Sequence, residues 1–271
     1  MTFIKGSNDE ETKIQLILTY ACPVEAILAG FYTTAVVNLL TWNMAYSVFP
    51  SVTFLQRKAF LIREFYEEDG EIIENPPQIQ KYTDRGFHFA PKKNCIDLWN
   101  SSTPRGMPRH VGDVKCWTMT LNTDGVEPKD PVPDYVMRAS HFSLHKPQEE
   151  FPITDIQCDA FTSPILKYTY TSSSTSWRAS QPNFWLKFMQ EELDSKIREE
   201  VKRIDTEDMS PEWWGRIESG AKNLSRTWSR YPAGKGWAFY DHLVPEWMER
   251  WDAVQTCSNP TRVEVSCGKK D

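Results

Sequence analysis

The fold turns on how Val24–Pro50, VEAILAG-FYTT-AVVNLLTWNMAYSVFP, is read. Glu25–Gly30 is short and largely apolar, which suits a strand, and Cys22-Pro23 before it breaks the chain direction. Phe31–Thr34 then forms a polar-aromatic loop. Thr34 is a good helix cap, and Ala35 to Val48 reads as a helix apolar nearly all round, hence buried, with Pro50 closing it. Strand, loop and helix in that order put hydroxyls and helix N–H groups at a strand's carboxyl end, where open α/β sheets hold their ligands.

The flanks extend the pattern. Lys13–Tyr20 is β-compatible, and Thr53 caps a second expected helix, Phe54–Tyr66. Aromatic and β-branched residues mark strands at Gly86–Ala90, Val114–Leu121, Tyr135–His145 and Ile165–Thr171. Helices are expected at Phe184–Ile204, within Pro211–Ser229, and near Pro245–Asp252. The first has an apolar stripe through Trp185, Phe188 or Met189, Leu193, Ile197, Val201 and Ile204, and four-apart ion pairs Glu192–Lys196, Asp194–Arg198 and Glu199–Arg203. The expected fold is a Rossmann-like three-layer α/β sheet flanked by helices, with α+β as runner-up. A flexible tail (1–12), one α/β domain (13–255) and a loose C-terminal tail (256–271) complete the expected organisation.

Composition bounds the class. The chain has 271 residues, 40% apolar and 25% charged, close to ordinary globular usage. Eleven tryptophans stand out, and such rings either fill a core or line a binding surface. The net charge of −6 argues against a globally basic nucleic-acid binder but leaves a local basic face open. The six cysteines lack CxxC spacing, the N-terminus lacks a signal-peptide pattern, and the apolar run at Ala26–Phe49 is broken by polar residues. A cytoplasmic protein with no membrane contact is expected.

Candidate chemistry centres on Gly30–Thr34. The glycine allows close approach of backbone to a ligand, and Tyr32, Thr33 and Thr34 supply hydroxyls; an ordinary structural turn is the alternative. Neither GxGxxG nor GxxxxGK[ST] occurs, and no cofactor is expected; GxSxG is missing too, so a Ser/His/Asp triad is unmarked. His141 and His145 lie on a strand-like segment without further ligands at zinc spacing, so no metal is expected either. The run YTYTSSSTSW from Tyr168 places Tyr168 and Tyr170 in a second hydroxyl-rich loop. Glu191 and Glu192 sit on the edge of the helical stripe, where a carboxylate shuttles a proton or accepts a cation. Basic residues cluster at Arg57-Lys58-Arg63, at Arg105-Arg109-Lys115, and at Lys196, Arg198, Lys202 and Arg203; with nearby tryptophans they suit a nucleic-acid backbone, or form a solvated helix face.

The segments ILAGFYTTAVVNLLTWNMAYSVFPSVTF (27–54), YTDRGF (82–87) and VGDVKCWTMTLNTDGV (111–126) resemble the fungal arginine-containing cyclodipeptide synthases. More distantly they are similar to the bacterial cyclodipeptide synthases, whose Rossmann-like domain carries a strand, a glycine, a nucleophilic serine two positions on, and an asparagine. Here Gly30 matches, Tyr32 stands at the serine position, Thr33 and Thr34 are the nearest small hydroxyls, and Asn38 lies further along than the pattern asks. The resemblance implies an aminoacyltransferase of secondary metabolism that joins arginine and a second amino acid, both from aminoacyl-tRNA, into a diketopiperazine without ATP. It implies catalytic roles for Tyr32, Thr33, Thr34 and Glu191, and substrate contacts from Gly30, Asn38, Tyr168, Tyr170 and Glu192. It also implies tRNA contacts from Lys196, Arg198, Lys202 and Arg203, with arginyl-tRNA as the partner. Two other readings stand beside it: another small-molecule enzyme of fungal secondary metabolism, and a non-catalytic tryptophan-rich interaction module.

Overall fold

The computed structural model of the protein describes residues 2–5, 12–15, 22–62, 77–89, 108–145, 155–172, 184–203, 236–258 and the single positions 211 and 215. Strands β1 (Thr2–Lys5) and β2 (Thr12–Gln15) form an antiparallel ribbon, so Thr2–Lys5 of the expected tail is a paired strand. Helix α1 (Pro23–Gly30) leads into the hairpin of β3 (Asn38–Leu40) and β4 (Met44–Ser47). A single π turn, Ser51–Leu55, precedes the short β5 (Lys58–Ala59). Then come α2 (Pro77–Thr83), β6 (His88–Phe89), β7 (Pro108–His110), β8 (Trp117–Thr120), α3 (Asp134–Arg138) and β9 (His141–His145). The remaining elements are β10 (Asp155–Gln157), β11 (Asp159–Phe161), β12 (Tyr170–Ser172), α4 (Phe184–Arg203) and α5 (Val244–Ser258).

The strands form small separate sheets. Two have three strands, ordered β3-β4-β8 and β10-β9-β7; the other three are two-stranded. Every described pairing is antiparallel except β5 with β6. Among the described residues there is no parallel three-layer sheet, which corrects the Rossmann-like expectation.

The correction has local causes. Pro23 is a helix-start signal as well as a strand breaker: it stands at the first helical position, where its missing N–H costs nothing, and Glu25 adds a favourable first-turn carboxylate. Glu25–Gly30 is therefore helix, not strand. Ala35–Val48, expected to be a helix, is a short 3-10 turn followed by the β3-β4 hairpin, and the polar break Thr41-Trp42-Asn43 builds its turn. Thr41 Oγ1 accepts the Met44 N–H at 3.0 Å and donates to Asn43 Oδ1 at 3.1 Å, local bonds that compete with helix. The expected helix Phe54–Tyr66 is limited to the π turn, after which Arg57 takes a positive φ of 53° and the chain extends to Ile62; residues 63–66 lie outside the described residues. Pro133-Asp134 starts α3, so only the second half of Tyr135–His145 is strand.

Two buried clusters hold the structure. One gathers Leu28, Val37, Leu39, Tyr46, Val48, Phe60, Val111, Phe142 and Leu144 from α1 and the two three-stranded sheets. The other gathers Tyr170, Trp185, Met189, Leu193, Ile197, Val244, Trp247 and Trp251 around α4 and α5. The α4 stripe read from sequence is thus the buried face. The His141 ring stacks on Trp185 at 4.0 Å between centroids, joining a β9 residue to the second cluster. The expected helix within Pro211–Ser229 lies outside the described residues apart from positions 211 and 215. No helix among the described residues is long and apolar enough to cross a membrane.

Candidate functional site

The Gly30–Thr34 segment follows a helix and runs beside residues 60–62. The Ile62 N–H donates to the Tyr32 carbonyl at 2.9 Å, and the Thr34 N–H donates to the Phe60 carbonyl at 3.0 Å. Gly30 is the exposed last residue of α1, and a Cβ built there meets nothing within 4 Å, so no close approach requires glycine. Tyr32 is exposed, while Thr33 and Thr34 are sealed in the interior. Thr34 Oγ1 accepts the Phe60 N–H at 3.1 Å; Thr33 Oγ1 is buried without a hydrogen-bond partner. Asn38 bonds locally, its Nδ2 donating to the Ala35 carbonyl. The expectation of reactive hydroxyls at a strand's carboxyl end is corrected: α1 is a helix, and its following threonines face the core.

The other expected site residues belong to the second cluster. Tyr170 is fully buried and donates its hydroxyl to Asp241 Oδ1 at 2.9 Å; burial, then the Asp241 charge, pushes its pKa well up, so it stays protonated. Asp241 also accepts the Lys167 and Tyr168 N–H groups at 2.7 and 3.2 Å, a staple that fixes the loop carrying Tyr168. Exposed Glu191 lies 3.9 Å from Lys187, a contact of little energetic weight at such exposure. Glu192 does not pair with Lys196: α4 packs on α5, and Arg250 takes Glu192 in a two-pronged bond. Lys196 bonds Glu199, and Arg203 bonds Glu200 rather than Glu199. Of the expected phosphate contacts, Arg198, Lys202 and Arg203 are exposed, and Lys196 and Arg203 bond carboxylates.

A polar knot escaped the sequence reading. Arg109, grouped above with surface cations, is 7% exposed. Its Nε and Nη2 donate to the two Asp113 carboxylate oxygens at 2.9 and 3.0 Å, and Nη2 also donates to the Val48 carbonyl at 3.1 Å. Its guanidinium lies against the Phe49 and Phe142 rings. Burial alone would raise the Asp113 pKa, but the Arg109 hydrogen bonds and charge outweigh it and hold the carboxyl below its ordinary value. Burial pushes the neighbouring Cys116 thiol up to about 11, so it is not a nucleophile at neutral pH. The four-residue spacing of Arg109 and Asp113 is the signal sequence offered; nothing in it marks burial.

Next to this knot His110 is half-buried, its ring 5.3 Å from His141. His141 is buried, and burial with the His110 charge pushes it down to about 3. Its Nδ1 must carry the proton, since it meets the Ala139 carbonyl at 2.8 Å. Burial holds the Asp252 carboxyl above its ordinary value. His141 and His145 stand four apart on a strand, which sets their backbones about 13 Å apart. Among the described residues no group of three His, Cys, Asp or Glu is arranged to hold a metal ion.

The most open feature is a sheet face. The register sets Leu40 beside Ala45 and Ala45 beside Met119, and sets Asn38 beside Ser47 and Ser47 beside Trp117. Side chains alternate, so Leu39 and Tyr46 turn to the core while Leu40, Ala45, Trp117 and Met119 turn away. Leu40 is 76% exposed, Met119 62% and Trp117 48%. Phe54 from the π turn stacks on Trp117, centroids 5.8 Å apart and planes 8° from parallel, and Leu55 beside it is also exposed. No charged side chain lies in this face; Arg57 and Lys115 flank its Phe54–Trp117 end in the chain, and Asp124 follows β8. Compared with protein-family models, curated proteins and solved structures, the chain matches none of them.

Proposed function

We propose that this chain is a protein-binding module whose β3-β4-β8 face takes a partner segment with an apolar centre and an acidic end. One observation carries the reading: large side chains on one face of a three-stranded sheet, Leu40, Trp117 and Met119, stand in water beside an exposed Phe54 and Leu55. Scattered exposed apolar residues are ordinary, but here the register sets Leu40, Ala45 and Met119 in one row with Trp117 two residues before Met119 on the same face, and such groupings mark interaction sites. A flat stacked pair, Phe54 on Trp117, is a low-entropy aromatic anchor of the kind that dominates interface energetics. Arg57, whose guanidinium bonds the Arg85 carbonyl and lies over the Phe87 ring, and Lys115 flank one end of the face in the chain, and their charge favours carboxylates there.

The test uses a fluorescent synthetic peptide with a Leu/Trp centre and glutamates at one end. Saturable anisotropy with the wild-type chain, lost in Leu40→Glu and weakened by salt, supports the reading. No binding, or equal binding of a peptide whose glutamates are replaced by lysines, overturns it.

The second reading is the aminoacyl-tRNA-dependent cyclodipeptide synthase. The resemblance over residues 27–54, 82–87 and 111–126 supports it, and His110 supplies the acid–base group it needs. Half-buried, that imidazole adjoins the buried Arg109–Asp113 pair in the chain, and its ring lies 5.3 Å from that of His141. Arg198, Lys202 and Arg203 are exposed residues of α4 whose charge suits tRNA phosphates under this reading. Arginyl-tRNA supplied to the pure protein yields an arginine diketopiperazine under this reading, and His110→Gln abolishes it; no product with any second amino acid eliminates it.

A further inference from the structure

The edge of β8 carries an inference beyond the binding face. In the described residues β8 pairs only with β4. The Leu121 N–H donates to the Asn43 carbonyl at 2.8 Å, which marks Leu121 and Asn43 as a hydrogen-bonded pair of the antiparallel ladder. Alternation then sends the N–H and C=O groups of Trp117 and Met119 toward β4, and those of Thr118 and Thr120 toward the open edge. All four residues of the strand are exposed. Proteins usually protect such an edge with charge, proline, a bulge or brevity, and Trp-Thr-Met-Thr has no charge, proline or bulge, only its four-residue length.

We infer that a second copy of this chain pairs antiparallel along β8, with Met119 opposite Met119 of the second copy. Two constraints fix that register. A two-fold axis through the sheet requires residues of the same face to oppose one another, so it passes through one residue of the strand, and only at Met119 do both outward residues, Thr118 and Thr120, lie opposite residues of the strand itself. An axis at Thr118 would set Cys116 opposite Thr120, and the Cys116 N–H is already given to Asp113. An axis at Met119 sets Thr118 opposite Thr120 in both directions, and the outward groups of these residues make four backbone hydrogen bonds between the copies. Antiparallel pairing also brings Lys115, before the strand, toward Asp124, after it, on the other copy, whereas parallel pairing would align like charges. The row Leu40, Ala45, Met119 then continues through Met119, Ala45 and Leu40 of the second copy, so the dimer presents one apolar face across both sheets.

Non-hydrogen-bonded antiparallel neighbours stand about 4.5 Å apart at Cα, within reach of a disulfide. Under mild oxidation Met119→Cys in the full chain therefore gives a covalent dimer on non-reducing gels, while Thr118→Cys and the wild type do not. Thr120→Pro removes two of the four inter-copy bonds and leaves the β4 ladder intact, because the lost N–H points outward. By sedimentation velocity it weakens self-association by about thirtyfold at an unchanged unfolding midpoint. Leu40→Glu, on the far strand, abolishes peptide binding but keeps the dimer, so failure of the face and failure of the edge are told apart. A monomer at every concentration, or cross-linking through Thr118→Cys in place of Met119→Cys, overturns the inference.

Discussion

Replacing Arg109 with methionine preserves an unbranched side chain and removes the charge and every donor. The Asp113 carboxylate, whose side chain is 14% exposed, then loses both Arg109 bonds. It keeps the Lys115 and Cys116 N–H groups, both on Oδ1, at 3.0 and 3.1 Å. Removing one partner of a buried pair typically costs about 3–5 kcal/mol, and the two retained N–H bonds place Arg109→Met at about 3 kcal/mol. For a chain of this size that is a fall in melting temperature of roughly 6–12 °C. Urea unfolding at neutral pH reads it as a lower midpoint at unchanged slope. Adding Asp113→Asn discharges the orphaned carboxylate and recovers part of the loss, giving a coupling of at least about 1 kcal/mol in the double-mutant cycle. Arg109→Lys, which cannot span both carboxylate oxygens, is also destabilised. If Arg109→Met unfolds within about 0.5 kcal/mol of wild type, the knot does not hold the β4 end against β7.

Three further outcomes follow from the same geometry. His141 is held neutral with its pKa near 3, against an ordinary value of 6.5, so the unfolded chain binds the extra proton first on acidification. Stability should fall by about 1.4 kcal/mol per pH unit from about pH 6 toward 3, a slope that His141→Gln flattens; Asp113, also lowered, adds its loss only below its unfolded carboxyl range near 4. Thr33→Val removes a buried hydroxyl without a partner and should leave stability unchanged or raise it by about 1 kcal/mol, while Gly30→Ala should be neutral within about 0.5 kcal/mol. Loss of more than 2 kcal/mol in Thr33→Val, on the scale of an unmade buried hydrogen bond, would show that its hydroxyl is bonded after all. Trp185→Ala, at the junction of α4, α5 and His141, should cost about 3–5 kcal/mol by chemical denaturation.

How much of this was legible depends on which signals the chain repeats. Helix α4 was, because Trp185, Met189, Leu193 and Ile197 recur at helical spacing over a long window, and α5 was for the same reason. Strand β8 was legible from its aromatic and β-branched residues. The front of the chain was not. Val24–Gly30 is too short for apolar periodicity to separate helix from strand, and the deciding residue, Pro23, has both meanings. Ala35–Val48 is apolar at both spacings, and only the Thr41–Asn43 side chains, which close a turn, tip it toward a hairpin. That single misassignment moved Thr33 and Thr34 from an expected cleft into the core. Arg109, Asp241 and Glu200 were invisible as buried groups because burial of a charge depends on partners brought from other elements, such as Val48 for Arg109 and Tyr240 for Glu200. The exposed rows of the β3-β4-β8 face needed the register, which no local pattern specifies.

Two methionines flank the same sheet from opposite sides, which makes the open face measurable within one sample. Met119 points outward and is exposed; Met44 is part-buried against the first core cluster. With methyl-labelled methionine, titration with the apolar peptide bearing an acidic end should shift and broaden the Met119 methyl resonance, assigned through Met119→Leu. The Met44 resonance should stay in place. Movement of Met44 with Met119 unmoved, or a saturable binding isotherm that leaves both unmoved, would place the partner elsewhere on the protein.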